Sequence, residues 1–169
     1  MRQVDNAGRG KKVHLFVLFR NSVLFTPVLK EVGIHFGAPD QFLHMKRIPV
    51  DLEYIFKASP AILYKFLTTP ACLVRWFCDG VDINNEIYTF SWDGSEENAE
   101  VIDDIEEERI RFRWDGAPRY EYLEFRMYLS PVTEETVLEI TDFANEKEVD
   151  DLKRLWDSQI KNLRQETGG

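Results

Sequence analysis

Acid–base and metal chemistry near neutral pH usually falls to histidine. This chain has three, His14, His35 and His44, and none after residue 44. From residue 45 onward there is therefore no histidine general base, no histidine metal ligand and no Ser-His-Asp arrangement. No glycine-rich phosphate loop occurs either. Asp93-Gly-Ser-Glu-Glu97 lacks the alternating acidic ligands and distal glutamate of a calcium loop, and reads as an exposed acidic hairpin. Glu106–Glu108 reads as a solvated turn. Arg109, Arg111 and Arg113 lie on one strand face, where acidic residues of neighbouring strands can pair with them. Catalytic residues, metal ligands and cofactors are accordingly expected to be none.

What remains is a set suited to holding a ligand. Trp76, Phe77, Phe90, Trp92, Phe112, Trp114, Phe125, Met127 and Trp156 either wall a pocket or fill the core completely. Tyr54 and Tyr64 carry hydroxyls that can orient a ligand or simply reach the surface. Asp142 follows Leu138 and Ile140 at alternate positions, so it points inward as a ligand contact unless strand twist turns it to cap or to solvent. The second reading is preferred for Asp142. Cys72 and Cys78 are too few for a secreted disulfide framework, and read as free thiols in a reducing cytoplasm.

These residues need elements to hold them. Asn145 to Gln165 reads as one long helix. Asn145 and Glu148 have capping-box spacing, Asp150 and Asp151 suit the start, and Lys161 and Arg164 suit the end. Val149, Leu152, Leu155, Trp156, Ile160 and Leu163 form one apolar stripe that must lie on a partner surface. The preceding chain supplies a sheet. Ile48, Val50, Leu52, Tyr54 and Phe56 alternate with polar residues, as a strand with one buried face does. Ser59-Pro60 and Thr69-Pro70 open two short helices, Pro60–Leu67 and Pro70–Phe77. Tyr88, Phe90 and Trp92 then alternate, Asp93-Gly94 turns the chain, and Ala99, Val101 and Ile105 return. Ile110, Phe112 and Trp114 make a further strand, Leu123, Phe125, Met127 and Leu129 another, and Val137–Phe143 the last. The expected architecture is α+β: a curved antiparallel sheet of about six to seven strands wrapped around a long C-terminal helix, with two short helices after the first strand.

The charge is uneven. Residues 1–44 hold 6 Lys+Arg and 3 Asp+Glu, against 15 and 27 in the remainder. An acidic domain repels phosphate backbones, so nucleic acid is not an expected partner. The apolar runs Val13–Phe19 and Val23–Leu29 fall short of the roughly 20 residues that span a bilayer, so no stable membrane insertion is expected. Residues 1–44 read as an N-terminal extension, either sequence upstream of a natural start at Met45 or a disordered or targeting tail; residues 45–169 read as the folded domain.

Several motifs carry a resemblance: Lys57-Ala-Ser-Pro60, Arg75-Trp76-Phe77, Phe90-Ser-Trp92-Asp-Gly-Ser-Glu-Glu97, Arg111-Phe-Arg-Trp114, Thr141-Asp-Phe-Ala144 and Leu155-Trp156. From Met45 to about Gln165 the chain resembles the START-like, or helix-grip, superfamily, which includes Bet v 1 allergens, polyketide cyclases and Hsp90 ATPase activator homologues. It is most similar to a small bacterial START-like family, whose members resemble this chain from Met45-Lys46-Arg47 onward. The inward aromatic set, combined with the fold that the resemblance implies, leads to the expectation of noncovalent binding of a hydrophobic or amphipathic small molecule, a lipid included, between sheet and helix. A protein-interaction module with an acidic surface is the alternative, and a cyclase- or hydrolase-type enzyme the second.

Overall fold

The computed structural model describes residues 47–168; the expectations for residues 1–44 and for a start at Met45 fall outside them. Ten elements carry the fold: β1 (Arg47–Phe56), α1 (Pro60–Thr68), α2 (Pro70–Trp76), β2 (Gly80–Asn84), β3 (Ile87–Trp92), β4 (Ser95–Ile105), β5 (Arg109–Trp114), β6 (Leu123–Leu129), β7 (Thr136–Asn145) and α3 (Val149–Thr167). The seven strands form one sheet in the order β1-β7-β6-β5-β4-β3-β2, and every neighbouring pair is antiparallel. The order follows from the turns. Consecutive strands from β2 to β7 are joined by short connections, while β1 crosses over by way of α1 and α2 to pair with β7.

The turn chemistry is local. Asp93 and Gly94 both take positive φ, 47° and 80°, as a two-residue hairpin turn between β3 and β4 requires. A Cβ at Gly94 would meet nothing within 4 Å. Substitution there is therefore opposed by backbone conformation alone. Gly94→Ala is expected to cost about 1–2 kcal/mol, read as a lower urea midpoint at unchanged slope. A register shift between Val101 and Asp103 marks a bulge in β4, the kind of irregularity that bends and twists a long strand.

Ser59 caps α1 by accepting from the Ile62 amide at 3.4 Å. Thr69 ends α1 and starts α2, but its side chain makes no cap bond, so Pro70 and the backbone alone set that start. The long helix begins later than its sequence suggests. Asn145 is still in β7, paired with Arg47, and a single 3₁₀ turn (Glu146–Glu148) intervenes before Val149. Pairing with β1 keeps residue 145 extended. Its Nδ2 donates to Glu148 Oε2 at 2.8 Å, a side-chain clasp across the turn instead of a capping box. At the other end, Gly168 closes α3 in the left-handed region, with its N–H on Arg164 O.

The core lies between the sheet and α3. Leu152, Leu155, Trp156, Ile160 and Leu163 are each at most 6% exposed. Burying each stabilises by roughly 1.5–3 kcal/mol before chain entropy is counted. The alternating apolar residues at two strand ends are exposed: Ile105, which ends β4, at 40%, and Leu129, which ends β6 next to the turn where Tyr128 and Val132 are also exposed, at 58%.

Candidate functional site

The sheet contributes Phe90 and Trp92 from β3, Phe112 and Trp114 from β5, and Phe125 and Met127 from β6 to its inner face, all buried. Each arrives by the same rule, alternation along a strand. Trp76 ends α2 and Phe77 follows it, so the chain leaves the helix with both rings directed into the core. α3 contributes Trp156.

Phe77 is the meeting point. Its ring centroid lies 5.3 Å from Phe90, 5.6 Å from Trp92, 5.3 Å from Trp76 and 6.3 Å from Trp156. Phe125 meets Trp156 edge-on at 5.6 Å and Trp76 at 6.4 Å. Phe90 continues the cluster to Phe112 at 6.0 Å and Trp114 at 5.5 Å. Tilted and edge-to-face pairs at these distances are the favoured aromatic geometries. Three indole nitrogens are satisfied. Trp76 donates to Phe66 O at 3.0 Å, Trp92 to Phe77 O at 2.8 Å, and Trp156 to Asp142 Oδ2 at 3.0 Å.

Asp142 therefore differs from the preferred sequence reading. It neither caps α3 nor turns away. It keeps the inward phase set by Leu138 and Ile140, and its other oxygen accepts from the Phe143 amide at 2.7 Å. Alternation outlasts strand twist here because β7 stays paired with β1 as far as Asn145. The carboxylate is engaged in locking α3 onto β7.

Tyr54 lies apart from the aromatic cluster, half-buried on β1, and donates to Asp157 Oδ1 of α3 at 2.8 Å. Arg164 adds a second tie between these elements, donating to Ile55 O at 3.2 Å. Tyr64 donates to Asp104 Oδ1 at 2.7 Å. Burial first, then the carboxylate bond, pushes both phenols well above the usual tyrosine range. A folded-state pKa above the unfolded one gives stability that is fully present below about pH 10, and that is lost as pH rises past it. Replacing both with Phe should flatten that alkaline loss, measured as urea midpoints from about pH 8 to about pH 11. At neutral pH each replacement should cost about 0.5–1.5 kcal/mol.

Cys72 and Cys78 are free and buried, and burial, then Asp79, pushes the Cys78 thiol up to about 12. Among the described residues no group of three or more His, Cys, Asp or Glu side chains is placed to hold a metal ion. No helix among them is long and apolar enough to cross a membrane.

Two buried polar residues were not legible as such. Glu124 is 7% exposed although it alternates with core residues on β6. Gln159 is 3% exposed within the α3 stripe. For Gln159 the signal was its spacing, four residues from both Leu155 and Leu163.

Comparison with known proteins agrees with this architecture. A family model for the START-like superfamily domain matches residues 44–169. The solution NMR structure of a Bacteroides fragilis protein is 39% identical, with a TM-score of 0.54, covering 71% of this chain and 90% of that one. The Aha1 dimer from Colwellia psychrerythraea is 18% identical, with a TM-score of 0.60, covering 71% and 96%. DynU16, from the dynemicin biosynthetic locus, is 20% identical, with a TM-score of 0.58, covering 71% and 48%. The last two show likeness of fold. No curated protein matches the chain. With its seven-stranded sheet, its long closing helix and the match over residues 44–169, the chain belongs to the START-like superfamily.

Proposed function

We propose that residues 45–169 bind a hydrophobic or amphipathic small molecule, without catalysing a reaction, between the sheet and α3. The observation that carries this reading is the convergence of aromatic rings from β3, β5, β6, α2 and α3 on one apolar interior. The site residues in this reading are Tyr54, Trp76, Phe77, Phe90, Trp92, Phe112, Trp114, Phe125, Met127, Asp142 and Trp156. The absence of histidine from residue 45 onward speaks against acid–base catalysis there. Free buried thiols support a cytoplasmic setting. Native mass spectrometry of the chain, purified gently from its source cell, tests the reading. An added mass that disappears on denaturation supports it; a clean apo mass, with no binding of octanol, octanamide, octanoate or octyl fluoride, overturns it.

One observation favours a second reading. Residues 45–169 hold 15 basic against 27 acidic side chains, a surface suited to docking a basic protein patch. In that case partner capture should weaken steeply with added salt.

A further inference from the structure

Gln159 occupies the middle of the α3 stripe, flanked by buried Trp156 and Ile160. Its Oε1 is shielded from solvent and meets no hydrogen-bond donor among the described residues. Buried amide oxygens are ordinarily paired, so an unpaired one at the centre of an apolar face calls for a reason. One turn on, Asn162 Nδ2 is also buried without a partner. Residues three apart lie on one flank of a helix. Glu166 continues that flank and ion-pairs with Arg75 of α2, so the flank faces α2, against which α3 packs.

We propose that this amide row, with Gln159 at its centre, receives the polar end of the ligand where α3 packs against α2. This inference rests on the cavity-binding reading above and specifies its ligand. A carboxamide offers both donors and acceptors, and its oxygen and nitrogen are interchangeable by rotation. The matching head group is one that donates and accepts at once, an alcohol or a carboxamide, with the apolar remainder against Trp76 and Trp156. A carboxylate head fits poorly. It would have to be desolvated, and Arg75 of α2, which pairs with Glu166 on this flank, is already held there.

Octanol, octanamide, octanoate and octyl fluoride, titrated onto the full chain, test the proposal. Octanol and octanamide should bind about tenfold more tightly than the other two. They should also shift the Gln159 side-chain amide NMR signal, which is assigned by its loss in Gln159→Met. That variant should lose the preference while its thermal midpoint stays level or rises, since it removes an unpaired buried amide oxygen. Gln159→Leu gives a second route if Gln159→Met folds poorly. Equal binding of octanol and octyl fluoride, with the Gln159 signal unmoved, would overturn the head-group role and leave the cavity reading standing. A less stable Gln159→Met with unchanged octanol affinity would mark a structural amide and also overturn it. Binding of none of the four would remove the cavity reading, and this inference with it.

Discussion

Trp156→Ala should lower the stability of the fold by about 3–5 kcal/mol, the usual cost of deleting a buried large aromatic side chain. The residue is 0% exposed, stacks on Phe77 at 6.3 Å, meets Phe125 edge-on at 5.6 Å and donates to Asp142. A domain typically has only about 5–15 kcal/mol in hand, so the variant should be marginal at 37 °C. Trp156→Phe separates the two contributions. It keeps most of the apolar contact but strips Asp142 Oδ2 of its indole donor, for about 1–3 kcal/mol. Urea unfolding of both variants measures the split. If Trp156→Phe costs as much as Trp156→Ala, the bond to Asp142 dominates and the ring packing contributes little. The same pair bears on function. A ligand seated under α3 should be retained by Trp156→Phe and lost from Trp156→Ala, even at temperatures where the latter stays folded.

The parts of this architecture that sequence discloses are those set by local chemistry. Alternation in Ile110–Trp114 names the inward rings, Asp93-Gly94 names a hairpin, and Ser59-Pro60 names a helix start, because each depends on neighbours within a few residues. The superfamily is legible for the same reason. What is not legible depends on partners far along the chain. The start of α3 is displaced because Asn145 is paired with Arg47, almost a hundred positions earlier. Asp142 stays inward because β7 remains paired with β1 as far as Asn145, and its partner, the Trp156 indole, is brought near only by packing of α3 onto β7. Gln159 is not legible from apolar residue types, although helical geometry assigns its position regardless of type. The candidate site divides along the same line. Which rings point inward is readable; that Phe77 joins Trp76, Phe90, Trp92 and Trp156, while Tyr54 stands at the edge tied to Asp157, is not.

Glu124→Gln should cost about 2–3 kcal/mol, an unusual amount for a residue on the outward face of a sheet. Its carboxylate accepts from Arg111 Nε at 2.8 Å and lies within ion-pair range of Arg126 and Arg109, at 3.8 and 4.0 Å. The Arg111 guanidinium also covers the Tyr122 ring at 4.3 Å, which shields the bond from water. Register makes the carboxylate matter. Arg109 and Arg126 sit directly opposite one another on β5 and β6, an unfavourable like-charge pair, and Glu124 lies beside both. Gln keeps the shape and a hydrogen-bond acceptor but leaves three guanidinium groups without their shared counter-charge. The cost falls short of the roughly 3–5 kcal/mol for a fully buried pair because water reaches the arginines, whose side chains are 21–43% exposed. Added salt should narrow the gap between variant and wild type, since it screens the exposed repulsion that the variant uncovers. Adding Arg126→Gln to Glu124→Gln should restore part of the loss by relieving that repulsion, a coupling that a double-mutant cycle reads directly. A loss within about 0.5 kcal/mol for Glu124→Gln alone would mean that Asp103 of β4, which pairs with Arg109 at 2.8 Å, already balances the outward arginines and that Glu124 is replaceable.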